Sequence, residues 1–111
     1  MSLQDRRSGQ ERRTSNRYPI ELDIEWESAA GRVSGTISDV SLDGCFVLSS
    51  GNFEDGDRVK LFVPLDDGMN VQFDGKVVNN VYEIGFGVKF DQLSAAQRDL
   101  LLSLVREAEK G

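Results

Sequence analysis

Alternation of apolar and polar residues begins abruptly at Tyr18. From Ile20 to Trp26 every second residue is apolar, and the residues between them are acidic. A period of two residues is typical of a β-strand with one buried face and one solvent-facing side. Pro19 stands at the start of this run, where a missing N–H group is tolerated. The pattern therefore predicts a first strand that enters a sheet near Tyr18.

Further strand patterns follow, separated by short segments rich in Gly, Asn, Asp and Ser. They cover Val33 to Val40 (with Val33 and Ile37 facing inward), Cys45 to Leu48, Val59 to Val63, Val71 to Val77 and Tyr82 to Phe90. Asp67-Gly68 fits a hairpin turn. Gly85 and Gly87 share one strand face, which indicates strong curvature or close approach of another backbone. About six strands without crossover helices favour a six-stranded antiparallel β-barrel over a layered α/β fold.

The end of the chain has a different period. Ser94 and Gln97 have the spacing of a capping box, and apolar residues from Leu100 to Ala108 recur at helical intervals. We expect one amphipathic α-helix over about residues 94–109, docked on an open end of the barrel.

Residues 1–17 contain almost no apolar side chains and hold five of the 13 basic residues. Such a segment buries too little surface to order itself, so it is predicted to be a flexible arginine-rich arm in front of a barrel domain at 18–111. The arm has a net charge of about +3, whereas the remainder has about −9. The overall charge of −6 argues against general binding to nucleic acid or to an anionic membrane.

Composition also narrows the chemistry. The chain has one cysteine, Cys45, and no histidine, which leaves no intrachain disulfide, no ordinary zinc site and no Ser-His or Cys-His pair. No acid–base constellation is recognisable, so we predict no enzymatic activity, no metal and no cofactor. Apolar runs are too short for membrane insertion, and no signal peptide is visible near Met1, so a cytoplasmic location is expected. Trp26 and Cys45 are expected in the core.

Arginines at the end of the arm form the first candidate binding element. Arg12, Arg13 and Arg17 offer planar guanidinium groups, which bind phosphates bidentately, pair with the Hoogsteen edge of guanine and stack on bases. Alone, such a cluster is more often a solvated basic tail.

The second candidate element follows the second predicted strand and contains Asp39, Ser41 and Gly44. A carboxylate can accept hydrogen bonds from the N–H edge of guanine, a serine hydroxyl can donate or accept, and a glycine permits close approach or a positive φ. The same residues are common in simple turns. Together with the arginines they could enclose a guanine nucleotide.

These two elements, in this order, resemble the PilZ domain family, which has an Arg-x-x-x-Arg arm followed by Asp/Asn-x-Ser-x-x-Gly. Arg13 with Arg17, and Asp39 with Ser41 and Gly44, match those positions. The resemblance continues through the segments Tyr18-Pro19, Gly87-Val88-Lys89-Phe90 and Leu93-Ser94.

The resemblance implies a six-stranded barrel with a C-terminal helix that binds cyclic di-GMP (c-di-GMP). Arg13 and Arg17 would then grip phosphate and guanine, Arg12 would add a contact, and Asp39 and Ser41 would bind guanine edges. Gly44 would shape the turn. Ligand binding would order the arm over the barrel, and this change would signal to a downstream protein partner.

Two other functions remain open from the sequence. The family includes members that do not bind the nucleotide, so the chain could be a PilZ-like interaction module independent of c-di-GMP. A small barrel could also bind single-stranded nucleic acid, although that class presents aromatic platforms in a positive groove, and this chain outside the arm is acidic.

Overall fold

Six strands and one helix make up the computed structural model, which describes residues 17–51 and 53–110. The elements are β1 (Tyr18–Ser28), β2 (Gly31–Val40), β3 (Gly44–Leu48), β4 (Arg58–Pro64), β5 (Asn70–Val81), β6 (Gly85–Phe90) and α1 (Ala95–Lys110). The predicted fold class, a six-stranded antiparallel barrel with a C-terminal helix, is confirmed. The predicted arm up to residue 16, with Arg12 and Arg13, lies outside the described residues.

The sheet closes on itself in the order β1–β2–β3–β6–β5–β4 and back to β1. All neighbouring strands are antiparallel, and the closing pair of β1 with β4 places Trp26 opposite Leu61. Closure removes the exposed strand edges that an open sheet presents. Because no strand edge is left free in this sheet and its inside is filled by side chains, a ligand of the strands has to contact the outer surface of the barrel.

Alternating side chains from every strand fill the barrel. Trp26 is 1% exposed, and its ring packs edge-on against Phe86 at a centroid distance of 4.8 Å. Its indole N–H donates to Oγ of Ser49 at 2.9 Å, so the polar atom of this buried ring is satisfied. The buried apolar residues are Ile24, Trp26, Ile37, Val40, Cys45, Val47, Val59, Leu61, Val63, Phe73, Val77, Phe86, Val88 and Leu101. The predicted core positions of Trp26 and Cys45 are confirmed.

The first departure from the predicted pattern is Val33, which is 40% exposed rather than buried. Val33 pairs with Trp26 across β1 and β2 and so lies on the inward parity. However, the hairpin closes only two pairs further on, where Ser28 pairs with Gly31. Val33 therefore sits at the rim of the barrel, where parity no longer ensures burial.

The second departure is the start of the last strand. Tyr82 and Ile84 are 84% and 54% exposed, and they belong to the turn that links β5 to β6. The N–H of Ile84 donates to the carbonyl of Val81 at 3.0 Å, and Glu83 between them has a positive φ of 61°. The apolar alternation thus runs through a turn, and the inward-facing part begins at Phe86.

Turn chemistry at Asp67-Gly68 agrees with the prediction. Gly68 has a φ of 87°, a conformation that favours glycine, and the N–H of Leu65 donates to the carbonyl of Met69 at 2.7 Å. The Asp67 carboxylate accepts a bond from the N–H of Met69 at 3.0 Å. These bonds set the hairpin between β4 and β5.

Helix α1 begins with the predicted capping box. The N–H of Gln97 donates to Oγ of Ser94 at 3.1 Å, and the N–H of Ser94 donates to Oε1 of Gln97 at 2.8 Å. Gln97 also donates to the carbonyl of Gln72 at 2.6 Å, which ties the helix start to β5. The helix packs against β1, β2 and β5, and its Leu101 is fully buried.

Candidate functional site

Arg17 and Asp39 form an ion pair on the outside of the barrel. Nη1 of Arg17 donates to Oδ1 of Asp39 at 2.6 Å. Arg17 directly precedes β1, and Asp39 lies near the end of the adjacent strand β2. The two side chains are 54% and 31% exposed, so both can contact a molecule in solvent. The structure thus brings together one residue from each of the two candidate elements.

A β-bulge explains why Asp39 faces outward. Ile37 pairs with Val47 and Asp39 pairs with Phe46, so the register between β2 and β3 skips Ser38. In a regular strand Ile37 and Asp39 would share a face, because side chains alternate with a period of two. The extra residue lets Ile37 stay in the core, 2% exposed, while Asp39 points to solvent.

Ser41 organises the turn between β2 and β3. Its hydroxyl accepts bonds from the N–H groups of Asp43 at 3.1 Å and Gly44 at 3.2 Å, and it donates to the carbonyl of Gly44 at 3.2 Å. The residue is 3% exposed. In this arrangement the hydroxyl proton is directed to the turn, so a direct contact between Ser41 and a guanine edge stays a prediction.

Gly44 is required by close approach of the neighbouring strand. A Cβ at this position would lie 2.0 Å from the carbonyl oxygen of Val88 on β6. At the other end of the same strand pair, a Cβ at Gly85 would lie 2.0 Å from the carbonyl oxygen of Val47. The prediction that glycine in β6 marks close approach of another backbone is therefore confirmed at Gly85. At Gly44 close approach, rather than positive φ, is the reason for glycine.

The charges of Arg17 and Asp39 act electrostatically on the buried thiol of Cys45. Burial raises the pKa of the Cys45 thiol far above its ordinary value. The negative charge of Asp39 raises that pKa further, whereas the positive charge of Arg17 lowers it. Cys45 is therefore a protonated core residue beneath the site, as expected from its sequence context.

Phe46 is the cross-strand neighbour of Asp39 and was not among the residues singled out from the sequence. It pairs with Asp39 across β2 and β3, and it alternates with the buried residues Cys45 and Val47. Its half-buried ring therefore lies on the outside of the barrel beside the Asp39 carboxylate. The signal was available in the alternation, because inward positions for Cys45 and Val47 require an outward Phe46.

A separate groove of about 770 Å³ crosses the outer face of β1 and β2. Its lining includes the carboxylates of Asp23 and Glu25 and none of the motif residues. Because these carboxylates repel phosphate groups, we place the candidate nucleotide site at Arg17 and Asp39, where a cation and a carboxylate converge. The side chains of Arg17 and Asp39 lie on the open surface of the barrel.

Comparison with known proteins places this geometry in a family. The PilZ domain matches residues 11–107, a range that contains both candidate elements. This chain belongs to the PilZ domain family. A search among curated proteins finds no similar sequence.

Solved PilZ structures share the fold. The PilZ domain of CeSA from a cellulose-synthesizing bacterium aligns with a TM-score of 0.66 and 21% identity, covering 85% of this chain and 98% of that one. The PilZ domain of YcgR from Escherichia coli, solved with c-di-GMP, aligns with a TM-score of 0.73 and 16% identity, covering 89% and 92%. The PlzA protein of Borreliella burgdorferi in complex with c-di-GMP gives 0.68 and 16%, covering 85% of this chain and 41% of that one.

In the described part of the PilZ chain, residues 17–51 and 53–110, no helix has the length and apolarity that crossing a membrane requires. No group of three or more acidic or cysteine side chains converges there in a way that could hold a metal ion.

Proposed function

We propose that this PilZ chain is a cytoplasmic c-di-GMP receptor without catalytic activity, which orders its N-terminal arm on binding and signals to a partner protein. The observation that carries the proposal is the ion pair of Arg17 with Asp39, 2.6 Å apart on the outer surface. It joins the end of the arginine-rich element to the Asp-x-Ser-x-x-Gly turn. Structural relatives solved with c-di-GMP support the choice of ligand.

The residues at the site suit the two chemical features of this ligand. The Arg17 guanidinium suits a phosphate or the Hoogsteen edge of guanine, and the Asp39 carboxylate suits the N–H groups of the opposite guanine edge. Arg12 and Arg13 are proposed to add contacts from the arm. Ser41 is proposed to contribute through the turn that it organises, in addition to any direct contact with guanine.

Ligand binding must compete with the ion pair of Arg17 and Asp39. Solvent-exposed ion pairs contribute only about 0–1 kcal/mol, whereas a hydrogen bond to a charged group contributes about 1.5–3 kcal/mol. Opening or sharing the pair is therefore a small cost. In the free protein, the pair holds Arg17 beside the carboxylate, so the Arg17 side chain loses less conformational freedom when a ligand binds.

The proposed signal arises because the arm is continuous with β1. Tyr18 pairs with Val40 and Pro19 pairs with Asp39, so the arm leaves the barrel directly beside the candidate site. In the sequence, Arg12 and Arg13 precede Tyr18 by six and five residues. Contacts from them to a bound nucleotide would fix the arm against the barrel and create a new surface for a partner.

Isothermal titration of c-di-GMP into Arg17→Ala and Asp39→Asn tests the assignment. Loss of one charge-assisted interaction should weaken binding about 10- to 150-fold relative to the unchanged chain. Arg58→Ala is the matched control, because Arg58 forms a similar exposed ion pair with Asp91. That control should bind with unchanged affinity.

Unchanged affinity in both site variants would contradict the assigned residues. Equal weakening in Arg58→Ala would show a general effect of charge rather than a specific site. If the unchanged chain binds no c-di-GMP, the function becomes that of an interaction module independent of the nucleotide.

A further inference from the structure

Large apolar side chains are exposed where β3 ends and where the turn between β5 and β6 lies. Leu48, Tyr82 and Ile84 are 41%, 84% and 54% exposed. Tyr82 and Ile84 share that turn. The N–H of Ser49, directly after Leu48, donates to the carbonyl of Ile84 at 3.2 Å, which joins the turn to the end of β3. Leu48, Tyr82 and Ile84 therefore form one apolar patch, and contiguous exposed apolar surface is typical of interaction sites.

The apolar patch borders the groove of about 770 Å³ on β1 and β2. Ser49 and Thr36 line this groove. Leu48 is the chain neighbour of Ser49 and the cross-strand partner of Thr36, so it stands beside both of them. The hydroxyl of Ser49 also donates to the carbonyl of Ser34, another lining residue, at 3.1 Å. One side of the groove is therefore continuous with the apolar patch.

The β1 side of the groove is acidic. Asp23 and Glu25 line it, and both residues are exposed. Their cross-strand neighbours are uncharged: Thr36, Ser34 and Phe62. Arg32 forms an ion pair with Glu25, its Nε 3.3 Å from Oε1, and within residues 17–51 and 53–110 no other cation pairs with either carboxylate. The groove therefore keeps a negative potential, which attracts cations.

The two sides of the groove together define the chemistry of its occupant, which must present apolar side chains to the patch and cationic side chains to β1. Because the sheet is a closed barrel, it offers no free edge to which an extended segment could add as a strand. A helix with one apolar face and one basic face meets both requirements. Docking of an amphipathic helix in a groove is a common mode of protein recognition.

We propose that this groove and the adjoining apolar patch are the docking site for a basic amphipathic helix of a partner protein. The inference supplies the chemistry of the partner that the proposed function leaves open, and the role of docking in signalling rests on that function. Docking itself does not rest on it, because the residues that line the groove belong to neither nucleotide-binding element.

Fluorescence anisotropy of a labelled synthetic peptide, titrated with the full chain, tests this docking site. The probe is a peptide of about 18 residues in which leucines and lysines alternate at amphipathic helical spacing. A second peptide has the same composition in a shuffled order, so that its leucines share no face. It measures attraction by charge alone. The amphipathic peptide should bind at least about tenfold more tightly than the shuffled one.

Two variants separate the apolar and acidic contributions. Ile84→Ser removes apolar area that the helix would bury and should weaken binding of the amphipathic peptide about 5- to 30-fold. Asp23→Asn removes one exposed charge and should weaken it about two- to fivefold, an effect that disappears at high salt. Leu102→Ser and Glu107→Gln are the matched controls, because both residues are exposed on α1, which does not line the groove.

Absence of peptide binding, equal binding of the two peptides, or equal losses in the site and control variants would overturn the docking site. Displacement of the probe by an equal concentration of a peptide of residues 1–16 would assign the groove to the arm instead. A dimer of the full chain that Ile84→Ser dissociates in sedimentation would assign it to a second copy. Either result would overturn the partner helix.

Titration of the same chain with c-di-GMP separates this inference from the proposed function. Peptide binding by a chain that does not bind c-di-GMP would leave the docking site standing and contradict the receptor function. Binding of c-di-GMP without binding of the amphipathic peptide would leave the receptor function standing and overturn the docking site.

Discussion

Replacing Gly44 with alanine should destabilise the barrel strongly. The new Cβ would lie 2.0 Å from the carbonyl oxygen of Val88 and 3.1 Å from its carbonyl carbon. Carbon–oxygen contacts are normally about 3.3–3.6 Å, so the backbones of β3 and β6 must separate by more than about 1 Å. Both obstacles are backbone atoms, and no side-chain rotation relieves the contact.

This separation breaks ladder hydrogen bonds at the end of the strand pair where Gly44 opposes Lys89. Each bond contributes about 0.5–1.5 kcal/mol, and packing of the buried Cys45 loosens as well. We expect the free energy of unfolding to fall by about 2–4 kcal/mol. That is a large fraction of the roughly 5–15 kcal/mol typical of a domain.

Urea denaturation followed by Trp26 fluorescence measures this loss, because Trp26 is buried and its ring packs against Phe86 on β6. Gly87→Ala is the control on the same strand pair, where the nearest atom to the new Cβ is 3.3 Å away. It should change stability by less than about 1 kcal/mol. Equal losses in Gly44→Ala and Gly87→Ala would refute the close-approach argument.

Three further changes have defined outcomes. Ser41→Ala removes the acceptor of two turn N–H groups and should lower the free energy of unfolding by about 1–3 kcal/mol in urea denaturation. Burial raises the pKa of Cys45 in the folded chain above its ordinary value of 9.0, so above that pH only the unfolded chain loses the proton. Stability should therefore fall by up to about 1.4 kcal/mol per pH unit, and Cys45→Ala should remove this part of the slope. Ser94→Ala deletes one half of the capping box and should lower the thermal midpoint through a loss of about 1 kcal/mol, whereas an unchanged midpoint would show that the cap is unimportant.

The strand and helix pattern was largely readable from the sequence because burial in a small barrel follows parity. Trp26 and Ile37 are buried as their alternation predicts, and Ser94 with Gln97 caps the helix as its spacing predicts. Parity fails at Val33 because the hairpin extends past the barrel rim. It fails at Tyr82 because the alternation continues through a turn.

The sequence indicated which residues to group but not their geometry, and their part in ligand binding stays a prediction. The resemblance to the PilZ motifs put Arg17 and Asp39 in one site, and in the structure the two are in contact. The bulge at Ser38 depends on how β2 pairs with β3, which no local pattern reveals. The place of Phe46 next to Asp39 follows from that pairing, although its outward direction was readable from its alternation with Cys45 and Val47. The predicted roles of Arg12 and Arg13 stay predictions, because both lie outside the described residues.

The most direct test of the account is isothermal titration of the full chain with c-di-GMP, with GTP as the control ligand. The account predicts saturable binding of c-di-GMP, an increase in the thermal midpoint that grows with ligand concentration, and neither effect with GTP. Absence of heat and of any thermal shift at high c-di-GMP excess would contradict it.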